Sequence, residues 1–142
     1  MFSLTHLHPM IVHFPIALVT IGFLAELASL FFKKENCLPK ISLYLLIVGT
    51  LAAMAAVLAG VFFTEELSGA AGAIEKTHAL LAFVTTGLLL VTSLLRLLPL
   101  LKRKETKTTK QLAFAFYLLS MISVSATGFY GGTLVYSYMM PL

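Results

Sequence analysis

The chain has 142 residues, of which 59% are hydrophobic and 11% are charged, and its formal net charge is +4. A mean hydropathy of +0.97 excludes an ordinary water-soluble domain, since soluble domains carry about 25% charged residues. The single cysteine, Cys37, excludes an internal disulfide, haem attachment through Cys-x-x-Cys-His and iron–sulfur ligation by several cysteines.

Four apolar stretches follow one another along the chain, at residues 10–32, 41–63, 77–101 and 111–136. Each reaches the roughly 20 residues that a helix needs to cross a bilayer. Backbone groups in lipid must be hydrogen-bonded within the protein, and the alternating polar residues of a membrane barrel are absent. The stretches therefore predict an all-α integral membrane protein, a single domain over residues 1–142 that forms an antiparallel bundle of four transmembrane helices.

The first stretch opens with three of the four histidines, His6, His8 and His13. His6 and His13 are seven residues apart and share a helix face, whereas His8 lies about 140° round from His13 and is expected to cap the helix or act as a second ligand. Pro15 lacks the N–H that would bond to Ile11, so it predicts a kink just beyond His13.

The first stretch also contains Glu26, an acidic residue deep in a span. An ionisable residue at such depth is by default a candidate functional group. Arg96, near the end of the third stretch, offers the alternative of a structural ion pair. The pattern leaves both interpretations open.

Basic residues mark the orientation of the spans. Nine of the ten lie in or beside the first and third loops, whereas the middle loop holds Lys76 with Glu65, Glu66 and Glu75. The positive-inside rule then places these two loops in the cytoplasm and both termini outside, in the periplasm if the protein lies in a bacterial inner membrane. The basic run 102–110 has no interleaved aromatics, so topology and anionic lipid explain it better than nucleic acid does.

A motif in the first span recurs in the third. His13-x-x-x-Ala17-x-Val19-Thr20-x-Gly22 and the residues from His78 to Gly87 both read His-x-x-x-Ala-x-Val-Thr-x-Gly, 65 positions apart. Ala59-Gly60-Val61-Phe62 and Thr127-Gly128-Phe129-Tyr130 extend the likeness to the second and fourth spans. These matches predict two copies of a helical hairpin, with His13 and His78 as symmetry mates at one membrane boundary.

Two imidazoles from different helices favour a b-type haem as the cofactor. His13 and His78 are the expected iron ligands, and the pattern leaves open whether His8 takes the place of His13 opposite His78. A haem at the outer face suits electron exchange with a periplasmic redox protein or a quinol.

Two other functions fit the same residues. One is a copper site formed by His6, His8, His13 and His78 with Met10 or Met139. The other is a non-enzymatic structural or assembly subunit of a larger membrane complex or homo-oligomer, in which the histidines only pack. No nucleophile elbow and no phosphate loop occurs, and whether the protein is an enzyme stays open.

Three segments together resemble a known family: His8-Pro9-Met10-Ile11-Val12-His13-Phe14-Pro15, the isolated His78, and Gly128-x-x-Gly131-Gly132-x-Leu134-Val135-Tyr136. They are similar to the bacterial membrane family called domain of unknown function 2231, over essentially the whole chain. The resemblance implies four spans and marks His8, His13 and His78. It implies electron transfer by association, since relatives are fused to or found beside cytochrome c or Rieske-type modules. No such module occurs in these 142 residues, so the redox partner would be a separate protein.

Overall fold

The structure is a computed structural model that describes residues 7–64 and 67–138. These residues form five helices: α1 (Leu7–Ile11), α2 (His13–Phe31), α3 (Cys37–Phe63), α4 (Gly69–Leu101) and α5 (Lys107–Tyr138). With α1 and α2 taken together as one span, four helical segments are long and apolar enough to cross a membrane. The prediction of an all-α membrane protein with four spanning helices is confirmed.

The helices are longer than the apolar stretches that predicted them. α4 begins at Gly69 and α5 begins at Lys107, several residues before the hydropathy rises. Hydropathy marks only the part of a helix that contacts lipid, whereas helical hydrogen bonding continues until a residue or a turn interrupts it. At Gly69 the φ angle of +66° supplies such an interruption.

The first span has an irregular turn close to its proline. Val12 separates α1 from α2, and its N–H still bonds to the His8 carbonyl at 3.1 Å. Pro15 cannot donate to Ile11, so the hydrogen-bond ladder is incomplete at this turn. Val12 keeps helical φ and ψ angles of −61° and −23°, so the span continues through this turn, and the kink just beyond His13 stays a prediction.

The spans associate as two hairpins. α2 packs along α3, and α4 packs along α5, while α3 against α4 and α2 against α5 close the bundle. α1 also packs on α3, which holds His8 against the far end of that helix. Each hairpin thus contributes one histidine-bearing helix and one glycine-bearing partner to the same end of the bundle.

The buried core shows how the two hairpins correspond. Its members form pairs about 70 positions apart: Val19 with Leu89, Leu46 with Tyr117, and Ala53 with Val124, joined by Phe23. At a two-fold axis equivalent residues of the two copies meet each other, and this core has that character. The chain is therefore an internal repeat, in which α2 corresponds to α4 with an offset of 70 and α3 to α5 with an offset of 71.

This register differs from the one that the sequence motif suggested. The motif aligned His13 with His78 at an offset of 65, whereas the packed positions align His8 with His78. Small and apolar residues recur often in membrane helices, so a short match between them fixes the register poorly. The pattern of buried residues determines the register of the repeat well, because a shift of five residues on a helix turns the buried face away from the core.

Candidate ligand site at the histidine end

His8 lies on the short helix α1 and reaches across to α3. Its Nδ1 is 3.0 Å from the carbonyl oxygen of Ala56, and the ring is half-buried. The imidazole rests on Gly60, where an added Cβ would stand 3.0 Å from His8 Cε1. A side chain at this position would press on the ring and force it to shift by a few tenths of an ångström.

His78 makes the same set of contacts in the second hairpin. Its Nδ1 is 3.0 Å from the carbonyl oxygen of Thr127 on α5, and its ring rests on Gly131, where a Cβ would stand 3.0 Å from His78 Cε1. Thr127 follows Ala56 by 71 positions, as Gly131 follows Gly60. The histidine, the carbonyl and the glycine are therefore repeated together.

These hydrogen bonds determine which nitrogen of each neutral imidazole carries the proton. A carbonyl oxygen only accepts, so each Nδ1 carries the proton and donates it. Each Nε2 then keeps its lone pair. No hydrogen-bond partner for either Nε2 is found within residues 7–64 and 67–138. A histidine that donates from one ring nitrogen to a carbonyl while the other nitrogen stays free is in the form that metal sites use.

The two rings face each other across the bundle. The ring centroids of His8 and His78 are 6.1 Å apart, and the ring planes are 79° from parallel. Two metal–nitrogen bonds of about 2 Å each, in line between two imidazoles, put the ring centres about 6 Å apart. The centroid separation of the pair is close to that length, and the two rings meet edge to face.

His13 takes no part in this pair. It is exposed, and its Nδ1 lies 2.7 Å from the Pro9 carbonyl of its own span. The structure thus brings His78 together with His8, whereas the motif paired His78 with His13. Met10 is exposed as well, since it lies two residues, or about 200° round a helix, from His8. His6 and Met139 lie outside the described residues.

Sequence reasoning missed the carbonyl and the glycine that seat each ring. The signal that could have found them is the pair Gly60 and Gly131, which stand 71 positions apart near the ends of the second and fourth spans. Among the described residues no group of three or more His, Cys, Asp or Glu side chains is arranged to hold a metal ion. Within residues 7–64 and 67–138 the site therefore consists of two imidazoles, without the four-ligand set of structural zinc.

A second polar cluster lies at the opposite end, and we call it the inner polar cluster: Glu26, Ser42, Arg96 and Tyr117. Arg96 forms an ion pair with Glu26 and donates to the Ser42 hydroxyl at 3.1 Å. The Tyr117 hydroxyl lies beside Ser42 and donates to the Val19 carbonyl at 3.3 Å. Each of the four long helices contributes one side chain, and of the two interpretations of Glu26 that the sequence left open, the ion pair with Arg96 is the one present.

Glu26 and Arg96 also occupy equivalent positions of the two hairpins, 70 residues apart. The histidine pair and the ion pair are thus both contacts between symmetry mates, one at each end of the bundle. The apolar core lies between them. No continuous polar passage follows the axis, since Val19, Leu46 and Leu89 are fully buried there.

The comparison with protein families agrees with this architecture. A family model described as predicted membrane protein (DUF2231) matches residues 5–141. No curated protein and no solved structure matches the chain.

Proposed function

The chain belongs to the DUF2231 family of predicted membrane proteins, and from its paired imidazoles we propose that it is a b-type haem-binding electron-transfer protein. His8 and His78 would hold the iron. His8 thereby replaces His13 as one of the two expected ligands. A haem b bound by two histidines supplies one-electron redox chemistry. The observation that carries the proposal is the 6.1 Å separation of the two ring centroids, together with Nε2 atoms for which the described residues supply no hydrogen-bond partner.

The surrounding residues support a ligand role for these rings. Ala56 and Thr127 fix the tautomer through their carbonyls, and Gly60 and Gly131 fix the positions of the rings. A packing role needs neither a free Nε2 nor the same seat built twice. Restraint of this kind is typical of ligating histidines, whose second nitrogen is held by the protein.

The test is the visible absorption spectrum of detergent-purified protein from cells supplied with a haem precursor, recorded oxidised and then reduced with dithionite. We expect a Soret shift with α and β bands in the wild type and in His13→Ala, and loss of both in His8→Ala and in His78→Ala. His13→Ala is the matched control, because it removes an exposed imidazole of the same span whose Nδ1 bonds to the Pro9 carbonyl and which takes no part in the ring pair. A flat wild-type spectrum, or bands that survive in His8→Ala, would contradict the proposal.

A copper ion is the second candidate, and one observation favours it. The rings already stand at the spacing of a single ion, and the imidazoles themselves occupy the space above Gly60 and Gly131. Imidazole nitrogens suit copper. Elemental analysis of the same four proteins should then find about one copper per chain in the wild type and in His13→Ala only. If the folded protein shows neither haem bands nor bound metal, the hypothesis of an assembly subunit is the one that remains.

We further propose that the histidine end faces the periplasm, since the basic residues gather at the opposite boundary. Cys37 provides the test, because it is exposed at the start of α3 and is the only cysteine of the chain. A membrane-impermeant maleimide should label Cys37 only after the membrane is permeabilised. The control is Cys37→Ser combined with Tyr136→Cys, which moves the thiol to the histidine end and should be labelled in intact spheroplasts. The reverse labelling pattern would invert the orientation.

A further inference from the structure

A shallow apolar groove runs along the exposed surface of α4 near its C-terminal end. It has a volume of about 280 Å³ and is lined by Val91, Leu94, Leu95, Leu98 and Pro99. These residues are three or four positions apart, so they form one face of the helix. From residue 91 to residue 99 the helix rises about 12 Å, close to the depth of one leaflet in a hydrocarbon layer of about 30 Å. The groove therefore has the length and the lining to hold an acyl chain.

Three cations follow the groove directly, at Lys102, Arg103 and Lys104. Lys102 keeps helical backbone angles and lies four residues after Leu98, so it extends the face of the groove. Arg103 then adopts a φ angle of +50°, at a position where glycine is the usual residue, and the Lys104 N–H bonds to the Pro99 carbonyl at 3.0 Å. The helix thus ends where the groove meets a cluster of positive charge.

No neighbouring carboxylate neutralises this cluster. Glu105, the next acidic residue along the chain, forms an ion pair with Lys110 at 2.9 Å. Within residues 7–64 and 67–138, none of the three cations at positions 102–104 forms an ion pair. Cations at the edge of the hydrocarbon attract anionic lipid headgroups, and the guanidinium of Arg103 matches two phosphate oxygens at once.

The first hairpin has part of this charge without the groove residues. Lys33 and Lys34 correspond to Arg103 and Lys104, with an offset of 70. The counterparts of Leu95, Leu98, Pro99 and Lys102 are Ala25, Ala28, Ser29 and Phe32. Topology requires basic residues in both loops, but it does not require an apolar groove that leads to them. The combination in the second hairpin therefore favours a bound ligand with an apolar chain and an anionic head.

We propose that the groove and its three cations bind one anionic phospholipid, with an acyl chain along residues 91–99 and the phosphate at Lys102 and Arg103. A zwitterionic phospholipid with the same chains fits the groove equally well but has no net charge, so the cations select against it. The lipid belongs to the leaflet that borders the basic loops. This inference does not rest on the haem proposal, because the groove and the histidine pair lie at opposite ends of the bundle.

The experiment uses an introduced indole, because the chain contains no tryptophan. Leu94→Trp places the indole at the groove, and Leu24→Trp places it at the equivalent position of α2. The two leucines are 51% and 55% exposed, so neither change disturbs the core. Each variant is reconstituted into vesicles of zwitterionic phosphatidylcholine with a minor fraction of anionic phosphatidylglycerol. Bromine on the acyl chains of one lipid or the other quenches the indole on contact, which measures the lipid composition beside it.

We expect phosphatidylglycerol to be enriched about tenfold over its bulk fraction beside the indole of Leu94→Trp, and not to be enriched in Leu24→Trp. In the Leu94→Trp protein, Lys102→Gln with Arg103→Gln should abolish the enrichment. The matched control is Lys33→Gln with Lys34→Gln in the same protein. It removes the same number of charges from the loop of the first hairpin and should leave the enrichment unchanged.

Equal quenching by the two lipids in Leu94→Trp would overturn the proposal. So would enrichment that survives Lys102→Gln with Arg103→Gln. An indole that neither lipid quenches would also overturn it, because another protein chain would then cover the groove. Native mass spectrometry tests the wild type without an indole, and it should find one retained phosphatidylglycerol per chain from micelles that contain both lipids. Retention of both lipids alike would contradict a charge-selective site.

Discussion

The two hairpins share a backbone arrangement and differ in the chemistry of their helix contacts. In the first hairpin, α2 meets α3 through glycine and alanine, so the two backbones approach closely. In the second, α4 meets α5 through pairs of hydroxyls that bond across the interface. Close packing of small residues and hydrogen bonds between side chains both hold helices together in lipid, where the hydrophobic effect does not drive helices to associate. The comparison shows that packing alone does not require the hydroxyls.

What the hairpins keep in common lies at the two ends of the bundle. The histidine, its carbonyl partner and its glycine seat are the same in both copies. Glu26 and Arg96 occupy equivalent positions of the two hairpins but carry opposite charges. Such a pair favours contact between the first hairpin and the second over contact between two copies of the same hairpin. Four predictions follow from these similarities and differences, in order of expected effect.

The largest effect is expected at the ion pair. Arg96→Leu leaves the Glu26 carboxylate without its partner, in a site where both side chains are about one-sixth exposed, and should lower the free energy of unfolding by about 3 to 5 kcal/mol. Because the two positions are equivalent, the exchange Glu26→Arg with Arg96→Glu should recover most of the loss. Unfolding followed by circular dichroism in detergent measures both. An exchange that costs as much as the single change would contradict the equivalence.

Replacing the glycine on which each imidazole rests should lower stability by a similar amount in the two hairpins. Gly60→Ala and Gly131→Ala each push an imidazole away from a Cβ that would stand 3.0 Å from its Cε1, at a cost of about 1 to 3 kcal/mol. The same variants should weaken the haem bands. Gly132→Ala is the control on α5, because a Cβ there meets no atom within 4 Å. Unequal responses of Gly60 and Gly131 would show that the two seats are not equivalent.

A smaller effect is expected from the hydroxyls of the second hairpin. Thr85→Val removes hydrogen bonds to Ser123 and Thr127, and at about 0.6 kcal/mol for each bond in a membrane protein the loss should be about 1 kcal/mol. Thermal unfolding measures it, with Thr20→Val as the control. A loss of several kcal/mol would mean that the hydroxyls hold α4 to α5, which the comparison with α2 and α3 argues against.

The smallest effect is expected at His13. His13→Ala removes an exposed ring that bonds only to Pro9 and should change stability by no more than about 0.5 kcal/mol. The measurement is the same thermal unfolding, beside His8→Ala. If His13→Ala were the more damaging of the two, His13 would have to contact something beyond its own span.

Much of the candidate site could be anticipated from single residues, but not its geometry. His8 and His78 were both candidates, and the pairing of Glu26 with Arg96 was one of two interpretations. The choice between His8 and His13 could not be made from the sequence, since both lie near the same boundary and Pro15 leaves the helix phase uncertain there. The contact of α1 with α3, in which His8 bonds to the Ala56 carbonyl, makes that choice.

The sequence by itself determined that the chain crosses the membrane four times, because spanning length and continuous apolarity are local properties that lipid requires of each helix separately. It also indicated that the chain repeats itself. Only the tertiary structure decided the register of that repeat, the seat of each imidazole on a glycine and the difference between the two helix contacts. Those features depend on which faces of separate helices meet, and nearly all faces of a membrane helix are apolar, so hydropathy does not distinguish them.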